Sequence, residues 1–426
     1  MTIGQAGTEV FCLVAEGPNR QGGKDASHVK EVEVNIVTKP RKSPGSTAAR
    51  KSLGHRKPFS VAGAGLLLLA TAGMLGSGGA AAATTNRAMS VSTSANPADT
   101  VAILFPDNTT PRWTSEDAPD FKAWMQKLDP SSKVIVDVAN EDPSEQLSQA
   151  QSALTQGAKV LVVIAVDGVQ AAKIVQDAQA DHVPVIAYTR EIYNAPVKYM
   201  TGDDPYQIGL ALGKWMAAHT KAGDHVAVIA GSTTDSFAHL EYNGYMHVMS
   251  PLFKSGARRE VGPVWTPEWD TTKAHDEMAA FLTETHNNIQ AVLCANDSTA
   301  EGAISALQSV GMAGKIPVTG IDATLASDQL ILKGYQSMSV WRSVDNEAKY
   351  TAQLVVDLFR HQAPPKGFFT GTINNGYGAH PISRIIPMKA VPSTVITASN
   401  MQELITAHAI IKSQLCQGIP HGTGPC

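Results

Sequence analysis

The chain has 426 residues, of which 43% are hydrophobic and 17% are charged. This length and composition exclude a disordered chain and suggest two or three globular domains. The 34 basic and 38 acidic side chains give a formal charge of −4, so no excess of positive charge points to a nucleic-acid partner. The four cysteines form no C-x-x-C pair and are too few for a disulfide scaffold, which argues against a structural zinc site.

The first part of the chain differs in character from the rest. No acidic residue occurs between Glu33 and Asp99, while seven basic residues of that stretch precede Pro58. An apolar run over residues 61–75 follows, and then small residues that end in the alanines 80–83. This order predicts a leader over residues 1–83 with a secretory signal peptide, cleaved within residues 80–84.

An uncleaved membrane anchor is the alternative for residues 61–75. Gly63, Gly65 and Gly73 disfavour a stable spanning helix, and a run of about fifteen residues is short for a bilayer. No cysteine follows the small residues, so a lipid anchor is not expected. Cleavage after Ala83 would leave 343 residues with 24 basic and 33 acidic side chains, a formal charge of −9.

From residue 101 onward, short β-branched runs alternate with segments of helical periodicity. The predicted strands cover residues 101–105, 133–138, 160–166, 183–188, 225–230, 289–295 and 316–321. The predicted helices cover residues 121–128, 144–156, 169–181, 206–220, 240–254, 271–286, 298–310 and 325–333. Such alternation predicts an α/β fold of doubly wound parallel sheets, and the number of strands favours two lobes.

Polar residues follow the predicted strands almost one by one. They are Asp107, Asn140, Asp167, Arg190, Asp235, Asn296 with Asp297, and Asp322. Ligands of open parallel sheets bind beyond the carboxyl ends of the strands, so this placement predicts a ligand site.

Longer motifs occur in a fixed order along the same part of the chain. They are Phe105-Pro106-Asp107 with Arg112-Trp113, Ala187-Tyr188-Thr189-Arg190, Gly231-Ser232-Thr233-Thr234-Asp235, Trp265-Thr266-Pro267-Glu268-Trp269, Ala295-Asn296-Asp297-Ser298, Gly320-Ile321-Asp322-Ala323 and Ile373-Asn374-Asn375-Gly376. With these motifs, residues 101–399 resemble the type I periplasmic sugar-binding proteins, and within them the D-xylose-binding and multiple-sugar-binding group. No single motif is specific for these proteins, but the occurrence of all the motifs in this order is.

The resemblance implies two lobes that close on one monosaccharide about a hinge of three crossings. These crossings are expected near Asp203, residues 342–345 and residues 374–375. The first lobe would comprise residues 100–203 and 345–374, and the second lobe residues 204–344 and 375–400. Residues 401–426 would form a C-terminal tail.

A sugar site needs planar groups that hydrogen-bond hydroxyls and aromatic faces that stack on C–H bonds. The polar candidates are Arg112, Arg190, Asp235, Asn296, Asp322 and Arg342, and the aromatic candidates are Trp113 and Trp269. The resemblance assigns sugar binding to these positions, although the xylose binders have a lysine in place of Arg342.

Two positions depart from the family pattern. Thr189 stands where the family has an aspartate, and Phe237 stands where it has an asparagine. Each difference removes a polar partner for a hydroxyl, so we expect a changed specificity, with a deoxy sugar, a smaller sugar or a modified polyol as candidates.

Some candidates also have a structural explanation. We expect the pair Asn296-Asp297 to cap the helix that begins at Ser298, with Asn296 contacting ligand as well and Asp297 having a structural role. Trp265, Trp215 and Cys294 are interpreted as core residues.

Cys416 and Cys426 bracket a short Gly/Pro-rich loop, and in an exported chain this favours a local disulfide. The scattered histidines have no metal-ligand spacing, so neither a metal nor a cofactor is expected.

The resemblance implies a monomeric, periplasmic solute-binding protein that delivers a monosaccharide to the membrane permease of an ABC transporter. A sensor that docks on a chemoreceptor or histidine kinase is the alternative. A glycosidase or other enzyme is disfavoured because the sequence has no G-x-S-x-G, phosphate-loop or H-E-x-x-H motif. A repressor of the same fold would need a DNA-binding headpiece where this chain has its leader.

Overall fold

The structure is a computed structural model that describes residues 99–426 and, before them, only two short strands. These strands, β1 (Gly4–Gln5) and β2 (Thr8–Glu9), pair antiparallel. The signal peptide and cleavage site predicted from the sequence lie outside the described residues. Within the described part, no helix has the length and apolar character needed to cross a bilayer.

The first lobe is built on a sheet with a parallel centre. Its strands in chain order are β3 (Thr100–Phe105), β4 (Lys133–Val138), β5 (Val160–Val163), β6 (Val185–Tyr188) and β7 (Tyr199–Gly202). They lie in the order β7-β6-β5-β3-β4 with parallel pairing throughout. Their β-branched sequences suit strands that are buried on both faces.

Helices cover both faces of this sheet. They are α1 (Ala118–Leu128), α2 (Pro143–Thr155), α3 (Ala172–Ala180) and, from a later part of the chain, α9 (Val344–Phe359). Alternate residues of β3 point to opposite faces, so Ala102 and Leu104 join the cluster beneath α2 and α3. Val101, Ile103 and Phe105 join the cluster beneath α1 and α9.

The second lobe repeats this plan. Its elements are α4 (Pro205–Ala218), β8 (His225–Ala230), α5 (Ser236–Lys254), β9 (Arg259–Trp265), α6 (Thr271–Glu284), β10 (Ala291–Cys294), α7 (Asp297–Ser309), α8 (Leu325–Leu332) and β11 (Ser339–Arg342). The strands β10, β8 and β9 form a parallel sheet in that order. The strand predicted at residues 316–321 is present only as two parallel bridges, from Val318 to Val292 and from Ile321 to Val340.

The helices α4 and α5 pack unusually closely at glycines. A Cβ atom on Gly209 would lie 2.1 Å from the carbonyl oxygen of Glu241, and one on Gly244 would lie 2.3 Å from that of Tyr206. Only glycine permits this backbone approach.

The third hinge crossing lies later in the chain than predicted. The hairpin of β12 (Gly371–Asn374) and β13 (Ile385–Ala390) extends the sheet of the first lobe, since β13 pairs with β7. Only β14 (Ser393–Ile396) pairs with β11 of the second lobe. The chain therefore crosses between β13 and β14, and assigning all of residues 375–400 to the second lobe was wrong.

The C-terminal segment is an integral part of the second lobe. Its helices α10 (Gln402–Thr406) and α11 (Lys412–Leu415) bring Leu404 and Leu415 into a buried cluster with Ile331 and Leu332 of α8. Cys416 and Cys426 form a disulfide that closes the end of this segment. Residues 401–426 are thus packed structure and not the separate tail that the sequence suggested, because their apolar residues cover α8.

Candidate ligand-binding site

One cavity between the lobes is lined by every residue that the sequence proposed for ligand binding or specificity. The space free of protein atoms, including the part open to solvent, is about 350 Å³. The lining consists of Thr110, Arg112, Trp113, Thr189, Arg190, Asp235, Phe237, Trp269, Asn296, Ile321, Asp322 and Arg342.

Arg112 is fixed by two carboxylates of the first lobe. Its Nε and Nη2 atoms both donate to Asp117 at 2.8 Å, and Nη2 also donates to Glu347 at 2.7 Å. Asp117 ends a π-helical turn over Trp113–Asp117, and Glu347 lies in the first turn of α9. Burial alone would lower the pKa of Arg112, but these carboxylates outweigh it and raise that pKa well above its ordinary value.

Arg190 connects the two lobes across the cavity. It follows β6 of the first lobe, and its Nε atom lies 2.8 Å from Oδ2 of Asp235 in the second lobe. Its Nη1 atom donates to the carbonyl oxygen of Ala165 at 3.2 Å. Its guanidinium carbon lies 5.6 Å from the centre of the Trp113 ring, within the range of a cation–π contact.

Each lobe orients one tryptophan in the same way. Trp113 Nε1 donates to Asp107 at 3.1 Å, and Trp269 Nε1 donates to Asp235 at 3.0 Å. A Cβ atom on Gly231 would lie 2.2 Å from Cη2 of Trp269, so this glycine provides the space for the ring. Both indole rings are buried, and the N–H group of each already donates to an aspartate. The flat faces of the rings remain for apolar contact.

The floor of the cavity is a charged cluster at the hinge. Arg342, at the end of β11, pairs with Asp203 at the first crossing and with Asp322 at 2.9 Å. Its Nε atom also lies 3.5 Å from Oε1 of Glu347. Burial raises the pKa of Glu347 to about 7, although Arg112 acts to lower it.

Several polar atoms of this cavity have no hydrogen-bond partner within the described residues. The Nη1 atoms of Arg112 and Arg342 and the hydroxyl of Thr110 are buried in this state. Buried donors are almost always satisfied in folded proteins. These three groups have hydrogen-bonding capacity that no described residue uses.

Of the pair Asn296-Asp297, which was expected to cap this helix, Asn296 alone caps α7. Asn296 is the N-cap residue, since its Oδ1 atom accepts from the backbone of Thr299 at 2.9 Å. Asp297 instead accepts from Thr324, Gln336 and Ser339 at 2.8–2.9 Å and ties neighbouring loops together. Asn296 lines the cavity as well, with one end of its amide committed to the cap.

The two specificity candidates shape opposite sides of the cavity. Thr189 has a φ of 54°, a left-handed conformation that is rare for a β-branched residue. Phe237 lies 6.4 Å from Trp269 in an edge-to-face arrangement and 5.5 Å from the guanidinium of Arg342. Together with Ile321, Phe237 makes part of the wall apolar.

The residues interpreted as core divide into two groups. Cys294 is fully buried, as predicted. Trp265 and Trp215 are only half-buried at the edge of the second-lobe core, where Trp265 contacts Tyr242 and Trp215 stacks on His219.

The sequence reasoning missed the carboxylates that support the site. Asp117, Glu347 and Asp203 touch the arginines of the cavity, but Asp203 was named only as a hinge position. Asp107 was noted after its strand, yet its contact with Trp113 was not foreseen. Glu347 stands among the apolar positions of α9. A charged residue at such a position was the sequence feature that could have indicated its role.

Comparison with known proteins places this architecture in a family. The profile described as periplasmic binding protein domain matches residues 101–363. The D-xylose-binding periplasmic protein of Escherichia coli is 31% identical over 281 residues, which cover 66% of this chain and 81% of that protein. The corresponding protein of Haemophilus influenzae is 34% identical over 245 residues, covering 58% and 73%.

A solved structure agrees with these sequence relatives. The carbohydrate transporter solute-binding protein of Chloroflexus aurantiacus, in complex with D-glucose, superposes with a TM-score of 0.67 at 25% identity. The match covers 74% of this chain and 97% of that one. The chain belongs to the periplasmic binding protein family.

Proposed function

We propose that the protein is the solute-binding component of an ABC importer and captures one neutral monosaccharide in the cavity between its lobes. The observation that carries this proposal is the pair of unpaired, buried arginine nitrogens, one on Arg112 and one on Arg342, in a cavity with two tryptophans. Relatives that bind D-xylose and a structural relative in complex with D-glucose support the same ligand class.

The cavity matches the two chemical faces of a sugar. Arg112, Arg342 and the amide of Asn296 can donate to hydroxyl oxygens, and Asp322 can accept from hydroxyls. Trp113 and Trp269 offer flat apolar surfaces for the C–H bonds of the ring. Donors and acceptors come from both lobes, so a bound sugar would stabilise the closed arrangement.

The charges around the cavity favour a neutral ligand over a sugar acid or sugar phosphate. Three arginines face seven carboxyl groups, and each arginine already lies beside at least one of them. The carboxyl groups belong to Asp107, Asp117, Glu141, Asp203, Asp235, Asp322 and Glu347. An added anion would meet no uncompensated positive charge.

The apolar wall favours a sugar that lacks one hydroxyl. Asp235 accepts from the backbone of Phe237 and from Trp269, and it pairs with Arg190, so most of its capacity is used. Phe237 and Ile321 offer no hydrogen bond at all. A pentose or deoxy sugar would leave no hydroxyl unpaired against this wall, whereas a hexose would bury one.

The family relatives also support the setting of this function. Their names describe periplasmic proteins, and we extend that location to this chain, with the leader as its export signal. The partner is then the membrane permease, which receives the sugar from the closed protein.

A thermal-shift screen of the purified protein against pentoses, hexoses, deoxy sugars and polyols tests the proposal. A specific ligand raises the melting temperature with concentration, because it binds only the folded state. A protein that responds to no monosaccharide would contradict the proposal, and so would sustained turnover of a glycoside.

A further inference from the structure

A hydrogen bond joins the two lobes at a point outside the ligand cavity. The backbone N–H of Glu191, in the first lobe, donates to Oγ of Ser236, in the second lobe, at 2.7 Å. Neither residue lines the cavity, so the contact needs no ligand.

The first-lobe side of this contact is held firmly in its own lobe. The backbone N–H of Tyr193 donates to Gly168 at 2.8 Å, and the amide of Asn375 donates to the carbonyl of Ile192 at 2.9 Å. The Tyr193 ring stacks on Tyr377 at 4.4 Å. This segment therefore stays with the first lobe when the lobes separate.

The second-lobe side is equally fixed. Ser236 is the first residue of α5 and follows Asp235, which caps that helix through the backbone of Phe237. The serine hydroxyl therefore moves with the second lobe. Opening must break its bond to Glu191, because the two partners belong to different rigid parts.

Burial gives this contact more weight than a second hydrogen bond between the lobes that Thr109 makes. Ser236 is 2% exposed and Glu191 is 5% exposed. Thr109 also donates across the lobes, to the carbonyl of Glu268 at 3.0 Å, but that bond is exposed to solvent. A buried N–H that loses its acceptor costs more than an exposed one, which water can satisfy.

We propose that Ser236 is a positioning residue for ligand capture, which sets the fraction of protein that is closed before any sugar binds. The proposal builds on the proposed function, since lobe closure is the step that captures the sugar. A larger closed fraction raises the apparent affinity for every sugar alike, because only the closed state completes the site. Ser236 thereby controls affinity without touching the ligand or its specificity.

Distance measurement between spin labels on the two lobes, without sugar, tests this role. Labels at Ser144→Cys, at the start of α2, and Thr272→Cys, in α6, report the separation of the lobes, with Cys12→Ser in the background. The parent is expected to show a closed population. Ser236→Ala should raise the ratio of open to closed protein about tenfold, and saturating sugar should restore closure.

A matched variant separates this effect from a general loss of structure. Ser232→Ala removes another buried hydroxyl of the same lobe, and Thr234 is its only side-chain hydrogen-bond partner among the described residues. This variant should leave the distances unchanged.

Two outcomes would overturn the proposal. One is a distance distribution of Ser236→Ala equal to that of the parent, and the other is a parent that is wholly open without sugar. Because the distances are measured without ligand, a failure to find any sugar would affect only the proposed function. Normal sugar binding with unchanged distances would reject only the role of Ser236.

Discussion

The residues of the cavity are held by partners that are far apart in the chain. Arg112 and Glu347 are 235 residues apart in sequence but only 2.7 Å apart in the structure. Most of the residues that line the cavity could be predicted, because each follows a recognisable strand or belongs to a motif. Their supporting carboxylates could not, because burial against an arginine depends on how distant segments pack and leaves no local pattern.

A substitution of Gly231 tests whether the position of the Trp269 ring determines the affinity for sugar. A methyl group at this position would collide with the indole, so Gly231→Ala should weaken sugar binding by about tenfold or more. Gly371→Ala is the matched control, since its added Cβ would meet no atom within 4 Å. Calorimetric titration of both variants measures the effect, and equal affinities would show that the ring position is unimportant.

Substitutions of Phe237 test why the protein should prefer one sugar to another. In the parent, D-xylose should bind more tightly than D-glucose, because the additional hydroxymethyl group of the hexose would face an apolar wall. Phe237→Asn supplies a polar partner and should reduce this preference about fivefold to tenfold. Phe237→Leu keeps the wall apolar and should keep the preference. A ratio of dissociation constants that is the same in all three proteins would refute this role.

Ionisation of the Asp328 carboxyl group should contribute to the pH dependence of the free energy of unfolding. Burial raises the pKa of this carboxyl to about 9, and both of its oxygens lack a partner within the described residues. The folded protein then binds a proton that the unfolded chain releases above about pH 4. Stability should therefore fall as the pH rises from 5 to 9, by up to about 1.4 kcal/mol per pH unit for this group.

The variant Asp328→Asn should flatten that pH dependence, because it removes the titrating group and keeps the shape of the side chain. Urea denaturation of the parent and the variant between pH 5 and 9 gives the two slopes. Equal slopes would mean that Asp328 is ionised in the folded protein.

At the level of elements, the sequence predicted the strands β3, β4, β5, β6, β8 and β10 and the helices α1 to α8, but not β7, β9, β11, β14 or α9. The runs that became β3, β5, β6 and β8 are β-branched and buried on both faces, which gives them a strong local signal. The strands β12 and β13 were also missed, because they are short, half exposed and, in β13, interrupted by Pro387. Their placement depends on pairing with β7, and missing this pairing put the predicted third crossing too early in the chain.

The contact between α4 and α5 gives a prediction about stability. Gly244→Ala would force the helices apart, because its Cβ would lie 2.3 Å from a backbone oxygen. We expect a loss of roughly 1–3 kcal/mol in the free energy of unfolding, as for other overpacked sites. Denaturant unfolding measures this loss. A variant as stable as the Gly371→Ala control would show that the helices can separate freely.

At the level of the whole molecule, a hinge with a buried charged cluster connects two α/β lobes. The cavity lies between the lobes, at the ends of the strands. Both lobes contribute a tryptophan held by an aspartate, and Arg190 connects them. This arrangement explains how one small ligand could hold two lobes together, since its hydrogen bonds would come from both sides.

The most direct test of the central claim is isothermal titration calorimetry of the purified protein with neutral monosaccharides, beginning with D-xylose. We predict saturable binding of one sugar per chain, and a marked loss of affinity in Asp322→Ala, which removes the carboxylate between Arg112 and Arg342. The absence of binding heat with every neutral monosaccharide would contradict the proposed function, as would full affinity in Asp322→Ala.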